Sequence, residues 1–557
     1  MSRKKKKLKV IPLGGVQEIG KNITVFECED DIIVVDCGLT FPEDELLGID
    51  LVIPDITYLV KNKEKVRGII LTHGHEDHIG AIPYVLKEIS VPIYGTRLTL
   101  GLLENKLEEH GMLKQATLIN VKQGDVIELG CFKVEFIRST HSIADSVALA
   151  INTPVGIIIH TSDFKIDHTP IEGEPMDLAR FAELGNKGVL LLMCDSTNIE
   201  REGYTMSERT VGNTFEEMFM KARGRIIVAT FASNVHRIQQ VINASVKFGR
   251  KIAVCGRSML NVVDVAMKLG YLTAPDGTII DIDDIDRYPP DRITIITTGT
   301  QGEPMSALSK MAVSEHKKVE IMPDDLVIIS ASPIPGNEKL IFRVIDELFK
   351  KGANVIYESL AAIHVSGHAC QEEIKLIHRL VKPKYFMPVH GEYRHLKQHA
   401  NLAHELGMPM DHIFIMDIGK VLELTHDSAK IVGNVPAGRV FVDGLGVGDV
   451  GNIVLRDRKH LSQDGLIVIV ITTDKETGSL IAGPDIVSRG FVYVRESENL
   501  MEQAREVAKN ALMKCNGNGN RKSDWSAIKS TIKDDLGSFL YEKTKRNPMI
   551  LPIIMEI

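Results

Sequence analysis

Three histidines and one aspartate lie within six residues near the start of the chain, a density that indicates metal binding. The segment follows an apolar strand predicted over 66–72, precedes an apolar helix predicted from about residue 79, and reads Leu71-Thr72-His73-Gly74-His75-Glu76-Asp77-His78. His73 and His75 are two residues apart, so an extended turn directs both to one side, while Asp77 and His78 can face a second ion. Imidazole and carboxylate ligands without a thiolate suit zinc, with manganese as the competing ion.

Two ions need more ligands, and candidates lie just past the ends of other predicted strands. These residues are His141, Asp163 and His390. An open sheet gathers functional side chains at the carboxyl ends of its strands, so these positions can meet the first segment. A single histidine is usually a surface or hydrogen-bonded residue, and only the dense HxHxDH pattern makes ligation by the three distant residues an expectation.

The elements that must position these residues change in character along the chain. Short apolar strands alternate with turns over the first 200 residues, whereas β and α segments alternate after Thr205 in the order typical of a parallel sheet. Thr205 and Glu208 form a candidate capping box for a helix through about Lys221. A later strand, Lys384–Pro388, again ends next to a histidine, which indicates that the parallel-sheet segment is inserted into the first domain.

The length of 557 residues predicts several domains, because a single core rarely exceeds roughly 250–300 residues. We expect a first domain in two parts, 8–205 and 353–430, that encloses an inserted domain at 206–352. A Gly-rich connector at 431–452 and a small α+β domain at 453–557 complete the predicted organisation.

The composition is that of a globular protein, with 44% hydrophobic residues, 25% charged residues and a net charge of -8. This acidic balance does not favour a nucleic-acid partner unless positive charge lines one channel, and 5% aromatic residues argue against a broad platform for stacked bases. Seven scattered cysteines without a CxxC pair fit reduced thiols in the cytoplasm. The basic start Arg3–Lys9 lacks the apolar run of a signal peptide, and no long apolar stretch predicts a membrane helix.

The HxHxDH segment, the downstream histidine, the aspartate after an apolar strand and the late histidine together resemble the metallo-β-lactamase superfamily. Asp36, which follows the apolar run 32–35, is similar to the first, structural acidic position of that superfamily. The resemblance implies an αββα sandwich with two zinc ions, one held by His73, His75 and His141, the other by Asp77, His78 and His390, with Asp163 bridging them. Two ions about 3.5–4 Å apart can activate water and stabilise the leaving oxygen of a phosphodiester.

The predicted insertion at 206–352 resembles the β-CASP domain of nucleic-acid-processing members of that superfamily. The resemblance extends to an acidic residue after a strand, Asp195, and to His368, besides the late His390. It implies that His368 gives a proton to the leaving 3′ oxygen while Asp195 orients or charges it, with Asp77 catalytic as a metal ligand. A turn-capping role is the alternative for Asp195.

Two polar loops could form a cradle for a terminal phosphate, since small hydroxyl-bearing residues and free backbone N–H groups bind anions. The loops are 231–234 and 364–369, and together with the family resemblance they make the following residues candidate phosphate ligands: Ser233, Asn234, His364, Val365, Ser366, Gly367 and His368. Taken alone, each loop is a weak indication, because a Ser-Gly turn is usually only a turn.

The whole chain from about residue 8 onward resembles the bacterial ribonuclease J family. The matching segments are Gly14–Asn22, Phe41–Asp50, Thr298–Ser306, Ser332–Asn337, Tyr541–Met549 and Ile553–Ile557. The resemblance implies a 5′-to-3′ exoribonuclease that prefers 5′-monophosphate ends, has some endonuclease activity, and acts in mRNA decay and ribosomal RNA maturation. It also implies a homodimer or homotetramer and a role beside other components of an RNA-degradation complex. Ser162 departs from the family pattern, where glycine is frequent.

Other interpretations stay open at this stage. A DNA-processing nuclease of the same class has the same motifs, a small-molecule lactamase or thioesterase would lack the insertion, and a non-catalytic scaffold would have lost ligands. Gly48, Asp50 and Asp443 could offer oxygen ligands to a third cation of the calcium type, with a solvated loop as the alternative.

Overall fold

The computed structural model describes residues 6–43, 45–303, 305–333, 337–357, 363–475, 479–492, 497–516 and 525–557. Part of the basic start Arg3–Lys9 and parts of the segments Thr298–Ser306 and Ser332–Asn337 lie outside these ranges. The chain divides into two compact units, Met1–Thr40 with Val52–Val440, and Phe41–Leu51 with Phe441–Ile557. Within the described ranges, no helix combines the length and the apolar character needed to cross a membrane.

Strands and helices are numbered in chain order. One layer of the first unit is an eight-stranded sheet made of β1 (Leu8–Gly14), β2 (Ile23–Cys28), β3 (Asp31–Val35), β5 (Val66–Ile70), β6 (Ile93–Gly95), β7 (Leu118–Asn120), β20 (Lys420–Leu424) and β21 (Ala429–Asn434). The strand order is β21-β20-β1-β2-β3-β5-β6-β7. β3, β5, β6 and β7 run parallel, so their carboxyl ends lie at one edge. The turn with the HxHxDH segment leaves from that edge.

A second layer is a six-stranded sheet made of β8 (Val126–Leu129), β9 (Phe132–Arg138), β10 (Val147–Thr153), β11 (Gly156–His160), β12 (Val189–Asp195) and β19 (Tyr385–Val389). Its order is β19-β12-β11-β10-β9-β8. The two sheets share one core, in which Phe26 and Val35 of the first sheet pack with Phe136 and Leu149 of the second. β12 is buried at every position, as expected for an apolar run in the middle of a sheet covered on both faces.

Helices flank this sandwich. They are α1 (Thr57–Lys61), α2 (Glu76–Ile79), α3 (Ile82–Val85), α4 (Arg97–Glu109), α5 (Leu178–Lys187), α11 (Gln371–Val381) and α12 (Tyr393–Glu405). Phe181 of α5 and Ile377 of α11 pack on the outer face of the second sheet beside Leu192 and Phe386. The helix expected from about residue 79 is instead two short helices, the first of which begins at Glu76.

The inserted domain is a fully parallel sheet made of β13 (Ile226–Ala229), β14 (Lys251–Cys255), β15 (Ile279–Ile280), β16 (Ile293–Thr297), β17 (Leu326–Ile329) and β18 (Asn354–Ile356). Its order is β15-β14-β16-β13-β17-β18. Its helices are α6 (Arg209–Lys221), α7 (Val235–Lys247), α8 (Arg257–Leu269), α9 (Ala307–Ala312) and α10 (Glu338–Lys350). The chain enters this domain after the carboxyl end of β12. It returns to the second sheet in β19, which lies beside β12 and runs parallel to it.

The predicted capping box at Thr205 and Glu208 is wrong. Helix α6 begins at Arg209, and Glu208 precedes it without a capping hydrogen bond from its side chain. Glu208 instead forms an ion pair with Arg237 at 2.7 Å, and the Thr205 hydroxyl donates to the His368 carbonyl. Contacts with residues distant in sequence therefore determine the conformation of Thr205 and Glu208, and they override the local capping pattern.

The second unit contains a small α+β core. Its three-stranded sheet has the order β25-β24-β26, with β24 (Leu466–Thr473), β25 (Leu480–Arg489) and β26 (Met549–Glu556). Ile469 of β24 packs on one face against α14 (Glu498–Asn516) and α15 (Trp525–Thr544). In and next to the predicted connector lie β22 (Arg439–Asp443), β23 (Gly446–Val447) and α13 (Asn452–Asp464). A further short strand, β4, spans Leu51–Pro54. The predicted fold class, an αββα sandwich with an inserted α/β domain and a C-terminal α+β domain, is confirmed.

Candidate metal centre

Three imidazole rings meet at the edge where the strands of the first unit end. His73 Nε2 lies 3.1 Å from His75 Nδ1, and His141 Nε2 lies 3.2 Å from the same atom. His73 and His75 follow β5, and His141 follows β9. Burial lowers the pKa of His75 to about 4 and holds the pKa values of His73 and His141 well below their usual range. The three rings are therefore neutral at pH 7, and neutral rings offer nitrogen lone pairs to a metal ion.

A second group of ligand atoms adjoins the first and contains two carboxylates. His390 Nε2 lies 3.1 Å from Asp77 Oδ2, and His78 Nε2 lies 3.5 Å from the same oxygen. Burial would lower the pKa of His390, but the carboxylates of Asp163 and Asp77 raise it to about 9. The second group therefore combines imidazole rings with carboxylates of opposite charge. Zinc and manganese bind to ligand sets of this kind.

Asp163 stands between the two groups. Its Oδ2 lies 3.2 Å from His78 Nε2 and 3.4 Å from His390 Nε2. The same oxygen lies 3.8 Å from His73 Nε2 and 3.9 Å from His141 Nε2. Burial opposes its ionisation, but the charges of His390 and His78 hold the pKa of Asp163 well below its usual range. The ionised carboxylate of Asp163 could therefore bind a metal ion in either ligand group.

The ring nitrogens that point away from the cluster have fixed partners. His78 Nδ1 lies 2.8 Å from Asp36 Oδ2, and His141 Nδ1 lies 2.7 Å from the Gly367 carbonyl oxygen. A carboxylate and a carbonyl only accept hydrogen bonds, so both Nδ1 atoms donate and each ring turns its Nε2 toward the cluster, where the nitrogen offers a lone pair to a metal ion once it carries no proton. Such outer partners orient metal-binding histidines. The residues at this site therefore fit metal ions in both donor chemistry and tautomer.

Sequence reasoning missed two residues that support the second group. Asn22 Nδ2 donates to Asp77 Oδ2 at 3.2 Å, and Thr197 Oγ1 lies 2.6 Å from His390 Nδ1. Asn22 ends the segment Gly14–Asn22 and Thr197 lies two residues after Asp195, but neither residue type indicates such a role by itself. Ser162 has φ 54°, a left-handed conformation that glycine adopts at no steric cost, so the backbone here would also accept a glycine.

His368 and Asp195 form a pair at the border of the cluster. His368 Nδ1 lies 2.7 Å from Asp195 Oδ2, and the His368 ring centroid lies 5.0 Å from that of His141 and 5.3 Å from that of His390. Burial would lower the pKa of His368, but the Asp195 carboxylate raises it. The side chains of His368 and Asp77 retain 19% and 28% of their exposure, so the cluster opens to solvent on this side.

The predicted phosphate ligands lie in two loops of the first unit. Ser233 and Asn234 precede α7, and the Asn234 side chain caps that helix by accepting from the Arg237 N–H at 3.0 Å. In the other loop, Ser366 Oγ accepts from Asn198 Nδ2 at 2.8 Å and from the His368 N–H at 3.2 Å. The Ser366 hydroxyl proton can therefore be donated elsewhere. Asn198, which also supports this loop, had no predicted role.

Gly367 joins the predicted phosphate loop to the first group of histidines. A Cβ atom at this position would lie 2.6 Å from His141 Cε1 and 2.7 Å from Ser142 Oγ. We expect Gly367→Ala to displace His141, to weaken metal binding and to lower activity by up to roughly 100-fold, because small misplacements at a catalytic site are that costly. Metal content and cleavage rate measure the effect. Gly433→Ala is the control, since its Cβ meets nothing within 4 Å, and equal behaviour of the two variants would refute the expectation.

The residues predicted to hold a third cation lie in the second unit. The Asp443 carboxylate pairs with the guanidinium of Arg458, whose Nη1 donates to the Leu47 carbonyl at 3.0 Å. A Cβ at Gly48 would lie 2.7 Å from the same Nη1. Asp50 accepts a backbone N–H at 2.7 Å. A cationic side chain thus occupies the position beside these oxygens, and calcium binding there stays a prediction that requires Arg458 to move.

Four family models match successive parts of the chain. They describe the metallo-β-lactamase superfamily (residues 17–155), the ribonuclease J β-CASP domain (223–348), a Zn-dependent metallo-hydrolase RNA specificity domain (353–416) and the ribonuclease J C-terminal domain (453–557). Together with the ligand clusters, they define a metal-dependent hydrolase of the metallo-β-lactamase superfamily with an inserted β-CASP domain.

The chain belongs to the ribonuclease J family. It is 48% identical to ribonuclease J2 of Bacillus subtilis, over 99% of both chains. It is 46% identical to ribonuclease J 1 of Streptococcus pyogenes, over 100% of this chain and 99% of the relative. A crystal structure of an Enterococcus faecalis protein of unknown function superposes with a TM-score of 0.53 at 17% identity, covering 75% of this chain and 100% of that one, which shows a shared fold. Family membership makes the chain a metal-dependent ribonuclease.

Proposed function

We propose that the protein degrades RNA from the 5′ end, prefers a 5′-monophosphate, and also makes some internal cuts. The observation that carries the proposal is the loop from His364 to His368. One end of the loop contributes to the predicted phosphate cradle, and the other end places His368 beside the ligand clusters. The Gly367 carbonyl ties the loop to His141 at 2.7 Å. A terminal phosphate bound by this loop would thus lie at a set distance from the metal centre, which favours release of single nucleotides.

Two zinc ions, with manganese as the competing metal, suit the ligand groups. His73, His75 and His141 would hold one ion, Asp77, His78 and His390 would hold the other, and Asp163 would contact both. When bound, such ions supply charge stabilisation for the phosphodiester and lower the pKa of water. The carboxylates of Asp77 and Asp163 would neutralise only part of the positive charge of two divalent ions, and the positive charge that remains would attract an anionic substrate.

His368 is suited to act as the proton donor. Its Nδ1 donates to Asp195 Oδ2 at 2.7 Å, so the ring is held in one orientation and Nε2 can carry the transferable proton. As the bond between phosphorus and the 3′ oxygen breaks, His368 Nε2 gives this proton to the leaving oxygen. Thr197 holds the Asp195 carboxylate in place, because its N–H and hydroxyl donate to Asp195 Oδ1 at 2.9 and 2.8 Å.

The biological setting follows from the same proposal. An exonuclease with a 5′-monophosphate preference would act in mRNA decay and in maturation of ribosomal and other RNA, as a cytoplasmic homodimer or homotetramer, together with other components of an RNA-degradation complex. The seven cysteines are all free thiols, which fits a reducing compartment.

Digestion of 3′-labelled RNA tests the proposal. RNA with a 5′-monophosphate should be shortened faster than the same RNA with a 5′-triphosphate, since the larger group does not fit a pocket at a set distance from the centre. Matched DNA should be spared. Equal rates on both RNA ends would contradict the end preference, and faster cleavage of DNA would favour a DNA-processing nuclease instead.

A further inference from the structure

Arg237 is a charged side chain buried completely inside the first unit. Its relative exposure is 0%, and it stands in the first turn of α7, directly after Ser233 and Asn234. Burial of an unpaired guanidinium would be strongly unfavourable, so its partners must satisfy it fully. None of the roles assigned so far to the metal centre or the phosphate loops requires this residue.

The Arg237 guanidinium makes four hydrogen bonds and one further close contact with a carboxylate. Nε donates to Glu208 Oε1 at 2.8 Å, and Nη2 lies 2.7 Å from the same oxygen and 3.3 Å from the Val365 carbonyl oxygen. Nη1 donates to the Ser330 carbonyl at 2.9 Å and to His364 Nδ1 at 2.9 Å. One planar group therefore connects the start of α7, the end of β17 and the loop that begins at His364. A lysine could not make these contacts, since it has three donors and no planar fork.

The contact with Arg237 decides which nitrogen of His364 carries hydrogen. A guanidinium only donates, so His364 Nδ1 must accept and must lack a proton. The hydrogen of the neutral ring then resides on Nε2, which has no hydrogen-bond partner in the part of the chain that the structure describes. Burial and the charges of Arg237 and Arg201 lower the pKa of His364 to about 3, which keeps the ring neutral.

Positive charge also surrounds His364. Arg237, Arg201 and Lys165 all act on it electrostatically, and the carboxylate of Glu208 lies near two of them, 2.7 Å from Arg237 and 3.8 Å from Lys165. Glu208 offsets part of this charge through its contacts with Nε and Nη2 of Arg237, whereas Nη1 is the nitrogen that contacts His364. An anion that reaches His364 would find a neutral N–H donor in a positive environment.

We propose that Arg237 is the positioning residue of the terminal-phosphate site: it holds His364 as an Nε2–H donor and fixes the His364 loop against the start of α7, and thereby sets the preference for a 5′-phosphate. The proposal rests on the proposed 5′-end recognition. Arg237 acts through His364 and Val365 and does not itself touch the RNA.

Kinetics of the metal-loaded enzyme on RNA with a 5′-monophosphate or a 5′-hydroxyl provide the first test. Arg237→Lys and the charge-balanced double variant Arg237→Met/Glu208→Gln should lower kcat/KM on 5′-monophosphate RNA by roughly 10- to 100-fold, the value of one hydrogen bond to a charged group. The loss on 5′-hydroxyl RNA should be clearly smaller, so the ratio of the two rates falls. Metal content and circular dichroism show whether each variant is folded.

Nitrogen NMR of the imidazole rings provides a second test that a loss of folding would not mimic. The ring signals of His364 are identified as those that are missing from the spectrum of His364→Gln. In the wild type, Nδ1 of His364 should have the chemical shift of an unprotonated nitrogen and Nε2 that of a protonated one. In Arg237→Lys this difference should shrink. His364→Gln, whose amide nitrogen reaches the position of Nε2, should keep more 5′-phosphate preference than His364→Asn, whose amide nitrogen reaches that of Nδ1.

The outcomes separate the two proposals. A wild-type enzyme that cleaves both RNA ends equally would overturn the 5′-end recognition and this inference with it. A wild-type enzyme with the preference, whose folded Arg237 variants keep the same ratio, would overturn this inference alone. A protonated Nδ1 on His364 in the wild type would also overturn it.

Discussion

The double variant Asp77→Ala/His78→Ala should bind less metal and lose RNA cleavage by roughly 1,000-fold or more, because metal ions contribute several kcal/mol to such reactions. Asp77 Oδ2 and His78 Nε2 lie 3.1 Å from His390 Nε2 and 3.2 Å from Asp163 Oδ2, respectively. Their removal leaves the second ligand group with only those two partners, while the group of His73, His75 and His141 keeps all of its nitrogens. The loss should therefore be selective for one ion.

Metal analysis by emission spectroscopy and RNA cleavage measured on the same samples check this result. The control is Asp125→Ala/His110→Ala, which removes an exposed aspartate and an exposed histidine of the same domain and should retain metal and activity. Circular dichroism shows that both variants are folded. A double variant at 77 and 78 with full metal content and full activity would mean that the ligand assignment is wrong.

The two parts of the candidate site differ in how far the sequence could predict them. The HxHxDH segment is local, so its four residues could be recognised from spacing alone. His141, Asp163 and His390 come from separate strands, so they could be grouped only because each follows a predicted strand and the HxHxDH segment already indicated metal, and the resemblance to a known superfamily then assigned them to particular ions. The structure brings all three to the same edge, with Asp163 Oδ2 within 3.9 Å of four imidazole nitrogens.

The supporting residues could not be predicted because their roles depend on contacts between distant segments. Arg237 and His364 are 127 positions apart, and an arginine early in an amphipathic helix ordinarily faces solvent. The same cause explains the failed capping box, since Glu208 has a buried arginine as its partner. The αββα fold class was predicted through the resemblance to the superfamily, and the insertion was predicted from the change in element order after Thr205 and the late strand that again ends next to a histidine. The start of α2 at Glu76 was not predicted.

Replacing His368 by alanine should lower kcat on RNA by roughly 100- to 10,000-fold, the usual contribution of a general acid, while the metal content stays unchanged. Asp195→Asn should have a smaller effect of the same kind, since it keeps the shape of the side chain but loses the charge that holds His368 Nδ1 at 2.7 Å. Both variants retain the two ligand groups. His426→Ala is the matched control, because the His426 side chain is 87% exposed and lies far from this pair in sequence.

The leaving group distinguishes proton donation from other roles of His368. A nucleotide p-nitrophenyl phosphodiester has a leaving group that departs without a proton, so His368→Ala should cleave it nearly as well as wild type. The geometry also allows a competing role, because Asp195 and His368 have ligand atoms within 4.8 Å of those of Asp163 and His390. If His368→Ala loses metal, or loses as much activity on the activated ester as on RNA, then His368 is a metal ligand or a structural residue and the proton reaches the leaving oxygen from elsewhere.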